Sequence, residues 1–206
     1  MTTQSAENGS LRAKAANVWA RDPHDFYCEP EWTSKRLFES EKFEGNVVDP
    51  ACGTGRIVRA AIDAGLDARG YDLVKRSAYC LDERDFLDWR WPNGEPVRNI
   101  VSNPPFKHCS ARADFKFIRL AIERAERKVA LLLPATFDCG DKNSRFLETT
   151  PLRRKLIITP RPSMPPGAVI EAGIKPGGGT TDFAWFVWLR GYDGKPETGW
   201  LRRDDA

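Results

Sequence analysis

Several features that would place a chain quickly are missing from this one. No apolar run approaches the roughly 20 residues that span a bilayer; the longest are Val129–Leu133 and Ala184–Leu189. The opening MTTQSAENGS is polar and lacks the apolar stretch of a secretory signal, so a cytoplasmic protein with no membrane partner is expected. Histidine occurs only twice, at His24 and His108, and the five cysteines (28, 52, 80, 109, 139) are scattered without a CxxC pair. No metal centre is therefore expected, and an odd, dispersed set of thiols reads as reduced. Charge of one sign is also scarce. The 32 basic and 29 acidic residues leave a formal +3, which permits a polyanionic partner without demanding one. There is no internal repeat and no long low-complexity tract.

What remains is an ordinary globular mixture over 206 residues, enough for one domain with a sizeable core. Residues 1–21 read as a flexible arm, with LRAKAANVWA as a short helix at most, and residues 22–206 as the folded domain. Short apolar runs alternate with amphipathic stretches. Asn46–Asp49, Ala68–Asp72, Asn99–Ser102, Val129–Leu133, Leu156–Thr159 and Phe183–Leu189 read as strands. Helices are predicted over Arg56–Ala64 and Phe115–Arg127 from their periodic apolar faces. Val129–Leu133 is apolar throughout, as in a strand buried on both faces of a parallel sheet. The alternation argues for an α/β fold. Residues 160–181 are dense in Pro and Gly and form a long loop, either functional or a plain surface connection.

VVDPACGTG, residues 47–55, puts a carboxylate at a strand end and two glycines before a helix. Ligands of open α/β sheets bind outside the carboxyl ends of the strands. Gly53 and Gly55 let backbone approach a ligand closely. Val58 stands where a dinucleotide fingerprint has its third glycine, and no GK[ST] follows, so neither that fingerprint nor a phosphate loop is present. Asp72 closes the next strand 17 residues after Gly55, near the roughly 20-residue spacing at which an acid reaches a ribose hydroxyl pair.

DPACGTG, the acidic strand end and SNPPF together resemble the class I S-adenosylmethionine-dependent methyltransferases. Within those they are most similar to the DNA N6-adenine branch, small phage-associated enzymes with DPxxGxG followed by [DNS]PP[YFW]. HDFYCEPEW resembles the N-terminal cofactor-binding segment of that family, although Cys28-Glu29-Pro30 stands where Thr-Pro is commoner. ERDFLDW resembles the segment after the third strand, and KVALLLPATF and TTDFAWFVW resemble the fifth strand and the late hairpin. The likeness covers about residues 22 to 200, with no insertion large enough for a separate target-recognition domain.

The resemblance implies a single-domain, Rossmann-like methyltransferase fold. Its sheet would be mostly parallel and seven-stranded, with an antiparallel late strand and helices on both faces. It also implies S-adenosyl-L-methionine as cofactor. The cofactor would be held by Phe26, Tyr27 and Pro30 over its methionine end, and by Asp49, Pro50, Ala51, Gly53 and Gly55 in the glycine loop. Asp72 and Leu73 would lie at the ribose, Asp85 and Phe86 at the adenine, and Asn103 beside the methyl group. Asn103, Pro104, Pro105 and Phe106 would form the catalytic motif. A conjugated amine is a poor nucleophile and must be drawn out of the ring plane. The Asn103 side-chain oxygen and the Pro104 carbonyl supply two acceptors, which the prolines hold fixed. Phe106 offers a π-face, worth roughly 1–3 kcal/mol per stacked base, comparable to the few kcal/mol of flipping a base from a duplex.

Phe106, Lys107 and Arg161 are the candidate substrate contacts, with Arg161 as a phosphate ligand in the long loop. Lys116 and Arg119 read instead as helix-face charges paired with Glu123 and Glu126. DNA is the expected partner, by base flipping. The motif specifies a planar conjugated NH2 more than a molecule. Relatives with Asn-Pro-Pro-aromatic act on guanine N2 in ribosomal RNA or on a glutamine amide, so RNA or a protein stays open as acceptor. A non-catalytic binding module is the remaining alternative.

Overall fold

The structure, a computed structural model, describes residues 26–88, 96–174 and 177–203. The expected N-terminal arm, its LRAKAANVWA helix and His24 lie outside these. In chain order the elements begin with α1 (Glu31–Ser40), β1 (Val47–Asp49), α2 (Arg56–Asp63), β2 (Ala68–Asp72) and β3 (Cys80–Glu83). They continue with β4 (Val97–Ser102), α3 (Lys116–Arg124), β5 (Ala125–Pro134) and α4 (Asp141–Glu148). β6 (Leu152–Thr159), α5 (Gly167–Glu171), β7 (Phe183–Leu189) and β8 (Glu197–Arg202) complete them.

The strands form one sheet in the order β3-β2-β1-β4-β5-β7-β6-β8. β7 runs antiparallel to both β5 and β6, whereas the other pairings are parallel. Strand count corrects the expectation: the described residues form eight strands, not seven. The extra strand, β8, is an edge on which Leu201 alone is buried, so ETGWLR carries no alternating apolar signal.

The unbroken apolar run of β5 serves two faces, as strand geometry requires. Val129, Leu131 and Leu133 pack with Phe117 and Ile118 of α3 and Phe146 of α4. Ala130 and Leu132 pack on the opposite side with Leu37 of α1 and Ile57 of α2. Helices therefore cover both faces. A second correction concerns α3, which ends at Arg124 rather than Arg127. Ala125 already pairs with Val97, and Lys128 with Asn99. The Arg190 guanidinium takes over the helix end, donating to the carbonyls of Ile122, Glu123 and Ala125. Periodicity alone cannot see a helix cut short by a sheet register.

Strand order reverses about β1, which lies between β2 and β4. That switch point opens a crevice at the carboxyl ends of β1 and β4, where Asp49 and the Asn-Pro-Pro-Phe stretch emerge. At the opposite end of the sheet Lys128 donates to Glu41 at 2.7 Å and to the Lys42 carbonyl at 2.8 Å. Arg154 holds the other Glu41 oxygen at 2.7 Å.

Candidate active site

β1 ends on Asp49, and the chain then turns tightly through Pro50–Gly55 into α2. Gly53 and Gly55 take φ of 50° and 80°, a left-handed conformation that side chains resist. A Cβ on Gly53 would also stand 2.8 Å from the Phe26 ring. The Asp49 carboxylate is 1% exposed. One oxygen accepts from Ser102 Oγ at 2.7 Å and from the Ala51 amide at 3.1 Å. Burial pushes its pKa well above the usual carboxylate range despite those bonds, and the charges of Glu29 and Asp72 add to the effect.

Asp72, at the end of β2, accepts from the Gly53 amide at 2.7 Å through one oxygen. Its other oxygen accepts from the Val74 amide and from Arg76, both at 3.2 Å. The Arg76 guanidinium sits 4.2 Å from the centroid of the Phe26 ring. Asp72 thus orders the glycine loop and lines the cleft at the position where a ribose acceptor is expected.

β4 delivers Ser102 and Asn103, after which Pro104 and Pro105 lead into a short 3-10 turn, Phe106–His108. The prolines carry no amide hydrogen and let the strand stop cleanly. Asn103 Nδ2 donates to the Tyr27 carbonyl at 2.8 Å and to Glu29 Oε2 at 3.0 Å. Both hydrogens of that nitrogen are consumed, and Oδ1 is left as an acceptor with no donor among the described residues, on a side chain that lines the cleft. The N-terminal segment making these contacts is itself held by the long loop. Cys28 donates to the Pro165 carbonyl at 3.1 Å, and Gly167 donates to the Phe26 carbonyl at 2.8 Å.

Two cavities meet here. The first, about 210 Å³, is lined by Phe26, Tyr27, Asp49, Pro50, Ala51, Gly53, Asp72, Leu73, Asp85, Phe86 and Asn103. Of the sequence-predicted cofactor residues, Pro30 and Gly55 fall outside this lining and act on backbone: Pro30 caps α1 and Gly55 caps α2. The second cavity, about 300 Å³, is lined by Tyr27, Phe106, Pro134, Pro162, Met164, Thr180, Thr181 and Phe183. The Phe106 and Phe183 rings are tilted at 5.9 Å between centroids. Tyr27 belongs to both walls.

Other predicted residues land elsewhere. Lys107 lines the first cavity, not the second. Arg161 lines neither, and makes an exposed two-point pair with Asp182 at 2.7 and 3.2 Å. Lys116 and Arg119 are paired, but with Asp88 and Asp114 instead of Glu123 and Glu126. Glu29 and Arg76 line the first cavity without a motif that assigns either a role. The only trace of Glu29 was its place just before Pro30, where Thr is commoner; Arg76 left none. No helix among the described residues is long and apolar enough to cross a membrane.

The fold is that of class I S-adenosylmethionine-dependent methyltransferases. A putative enzyme of that class from Listeria monocytogenes superposes with a TM-score of 0.59 at 15% identity, over 91% of this chain and 68% of its own. The M protein of the type I restriction enzyme EcoKI gives 0.59 at 14% identity, over 88% of this chain and 49% of its own. A putative RNA methyltransferase from Pyrococcus horikoshii gives 0.55 at 16% identity, covering 77% and 83%. The chain thus spans about half the length of the EcoKI subunit. No protein-family model and no curated protein matches the sequence.

Proposed function

We propose that the protein transfers a methyl group from S-adenosyl-L-methionine to the exocyclic N6 amine of an adenine flipped out of DNA. The observation that carries this reading is Asn103, whose amide nitrogen is doubly tied to Tyr27 and Glu29 while the residue lines the first cavity, next to Tyr27, which lines both. The first cavity fits the cofactor by two features of this chain: a glycine loop where a Cβ would meet Phe26, and an Asp72 carboxylate at the ribose position. When bound, the cofactor supplies an electrophilic methyl carbon on a sulfonium.

The chain's own residues do the rest. Asn103 Oδ1 and the Pro104 carbonyl accept the two amine hydrogens, which turns the nitrogen lone pair out of conjugation toward the first cavity. Phe106 and Phe183 offer aromatic surface to the base in the second cavity, and Pro134, Pro162 and Met164 exclude water from it. After transfer the amine sheds one proton to solvent. DNA is favoured as acceptor by the likeness of motif to the N6-adenine branch, while the fold is shared alike with the EcoKI M protein and a putative RNA methyltransferase. The small net positive charge is compatible with phosphate contacts.

Incubation with labelled S-adenosylmethionine and, separately, unmethylated DNA, ribosomal RNA and a release factor tests this, with digestion to identify the product. N6-methyladenine in DNA is the expected product, and Asn103→Ala is expected to lower the rate by at least about 10²–10³-fold. Label found only in RNA or protein would move the acceptor while keeping the methyl donor.

A further inference from the structure

We infer that Glu29 is a positioning residue for Asn103: its buried carboxylate locks the amide with Oδ1 toward the acceptor amine and places a negative charge behind it. The inference deepens the proposed adenine methylation and rests on it. Glu29 is 6% exposed. Its Oε2 accepts from Asn103 Nδ2 at 3.0 Å, while the Tyr27 carbonyl accepts from the same nitrogen at 2.8 Å. An amide NH2 has two donors and no acceptor capacity. Flipping the Asn103 side chain would set Oδ1 against two oxygens, so the orientation is forced.

The Tyr27 carbonyl alone would fix that orientation, so a second, charged partner needs its own reason. Burying a carboxylate is costly, and a neutral acceptor would serve a purely structural purpose better. A charged acceptor makes the shorter, stronger hydrogen bond and polarises the amide, which leaves Oδ1 more negative. As the amine forms its new N–C bond it takes on positive charge, and a fixed anion one side chain away stabilises that change without reorganising.

The groups facing Glu29 come from three elements. Arg56, at the start of α2, donates to the Glu29 backbone carbonyl, not to its carboxylate. Glu31 of α1 and Asp49 at the end of β1 add negative charge, and Cys28 is a neutral neighbour. Burial raises the Glu29 pKa to about 6, against the Asn103 hydrogen bond and the Arg56 charge. At neutral pH it is ionised.

The test compares wild type with Glu29→Gln, a shape-conserving change. Methylation of an adenine-containing duplex is followed from pH 5 to 9, cofactor affinity is measured by calorimetry, and the Asn103 side-chain amide is observed by NMR. In wild type, kcat is expected to rise through pH 6 and the Asn103 amide signals to titrate with it. In Glu29→Gln, kcat falls about 10- to 100-fold, the inflection and the amide titration vanish, and cofactor affinity, although Glu29 also lines the first cavity, falls by much less than kcat. An unchanged kcat and pH profile would overturn the inference, and so would equal losses of cofactor binding and activity, which mark a structural role. The amide titration needs no acceptor. If wild type methylates no adenine yet the amide titrates near pH 6, the acceptor reading fails and the positioning stands. If wild type is active and the amide does not titrate, the positioning fails alone.

Discussion

Carboxylates are buried at both ends of the central strands, in opposite electrostatic settings. At the amino end Glu41 is met by Lys128 and Arg154, both at 2.7 Å. Burial alone would raise its pKa, but these two cations outweigh that and hold it below the usual value. At the carboxyl end Asp49 and Glu29 are also buried, with no cation hydrogen-bonded to either carboxylate among the described residues, and burial pushes both up. The paired end is arranged for stability. The unpaired end keeps unfavourable charge where hydrogen-bond acceptors must be aimed at a ligand, a division common between scaffolds and sites.

The strongest way to break this contrast is to take the buried cation away from Glu41. Lys128→Met keeps an unbranched apolar side chain and removes the ammonium, which also lies 4.9 Å from the centroid of the Phe43 ring. It is expected to cost about 3 kcal/mol of stability by urea unfolding at pH 7, since it leaves the buried Glu41 carboxylate with Arg154 as its one remaining cation among the described residues. At the other end the sign reverses. Glu29 binds a proton more tightly folded than unfolded, so its contribution to stability is complete below pH 4.5 and lost as pH rises through about 6. Glu29→Gln removes that loss and is expected to stabilise the fold by about 2 kcal/mol at pH 8, with the gain gone below pH 4.5. A variant that becomes more stable while it loses activity separates site from scaffold cleanly. The smallest effect is expected for Arg154→Ala. Its side chain is 31% exposed, so removal should cost about 1 kcal/mol and less at high salt.

The centre of this fold was legible in the sequence and its margins were not. Phe183–Leu189 is legible to the residue because a strand buried along its length leaves an uninterrupted apolar run, whereas Ala68–Asp72, which buries only Gly70 and Tyr71, is legible through its acidic end after the glycine loop. β3 and β8 bury one residue each, Cys80 and Leu201, and such edges look like loops. α4 (DKNSRFLE) buries only Phe146 and Leu147, too little for a period to show. For the site, backbone motifs were visible because glycine and proline have few other uses at a strand end. Glu29 and Arg76 were not, since an acid or base in a loop is ordinarily a solvated residue. Only a contact 74 positions away in sequence gives Glu29 a role. The long loop looked like either a functional or an idle connection, and its residues Pro162, Met164, Thr180 and Thr181 line the second cavity.

The stitching of Phe26 and Cys28 to Pro165 and Gly167 has a mechanical consequence. The loop that walls one chamber is bonded to the strip of chain that grips Asn103 and floors the other. Swinging that wall aside to admit a bulky guest therefore drags on the strip, so the two chambers do not open and close as independent compartments.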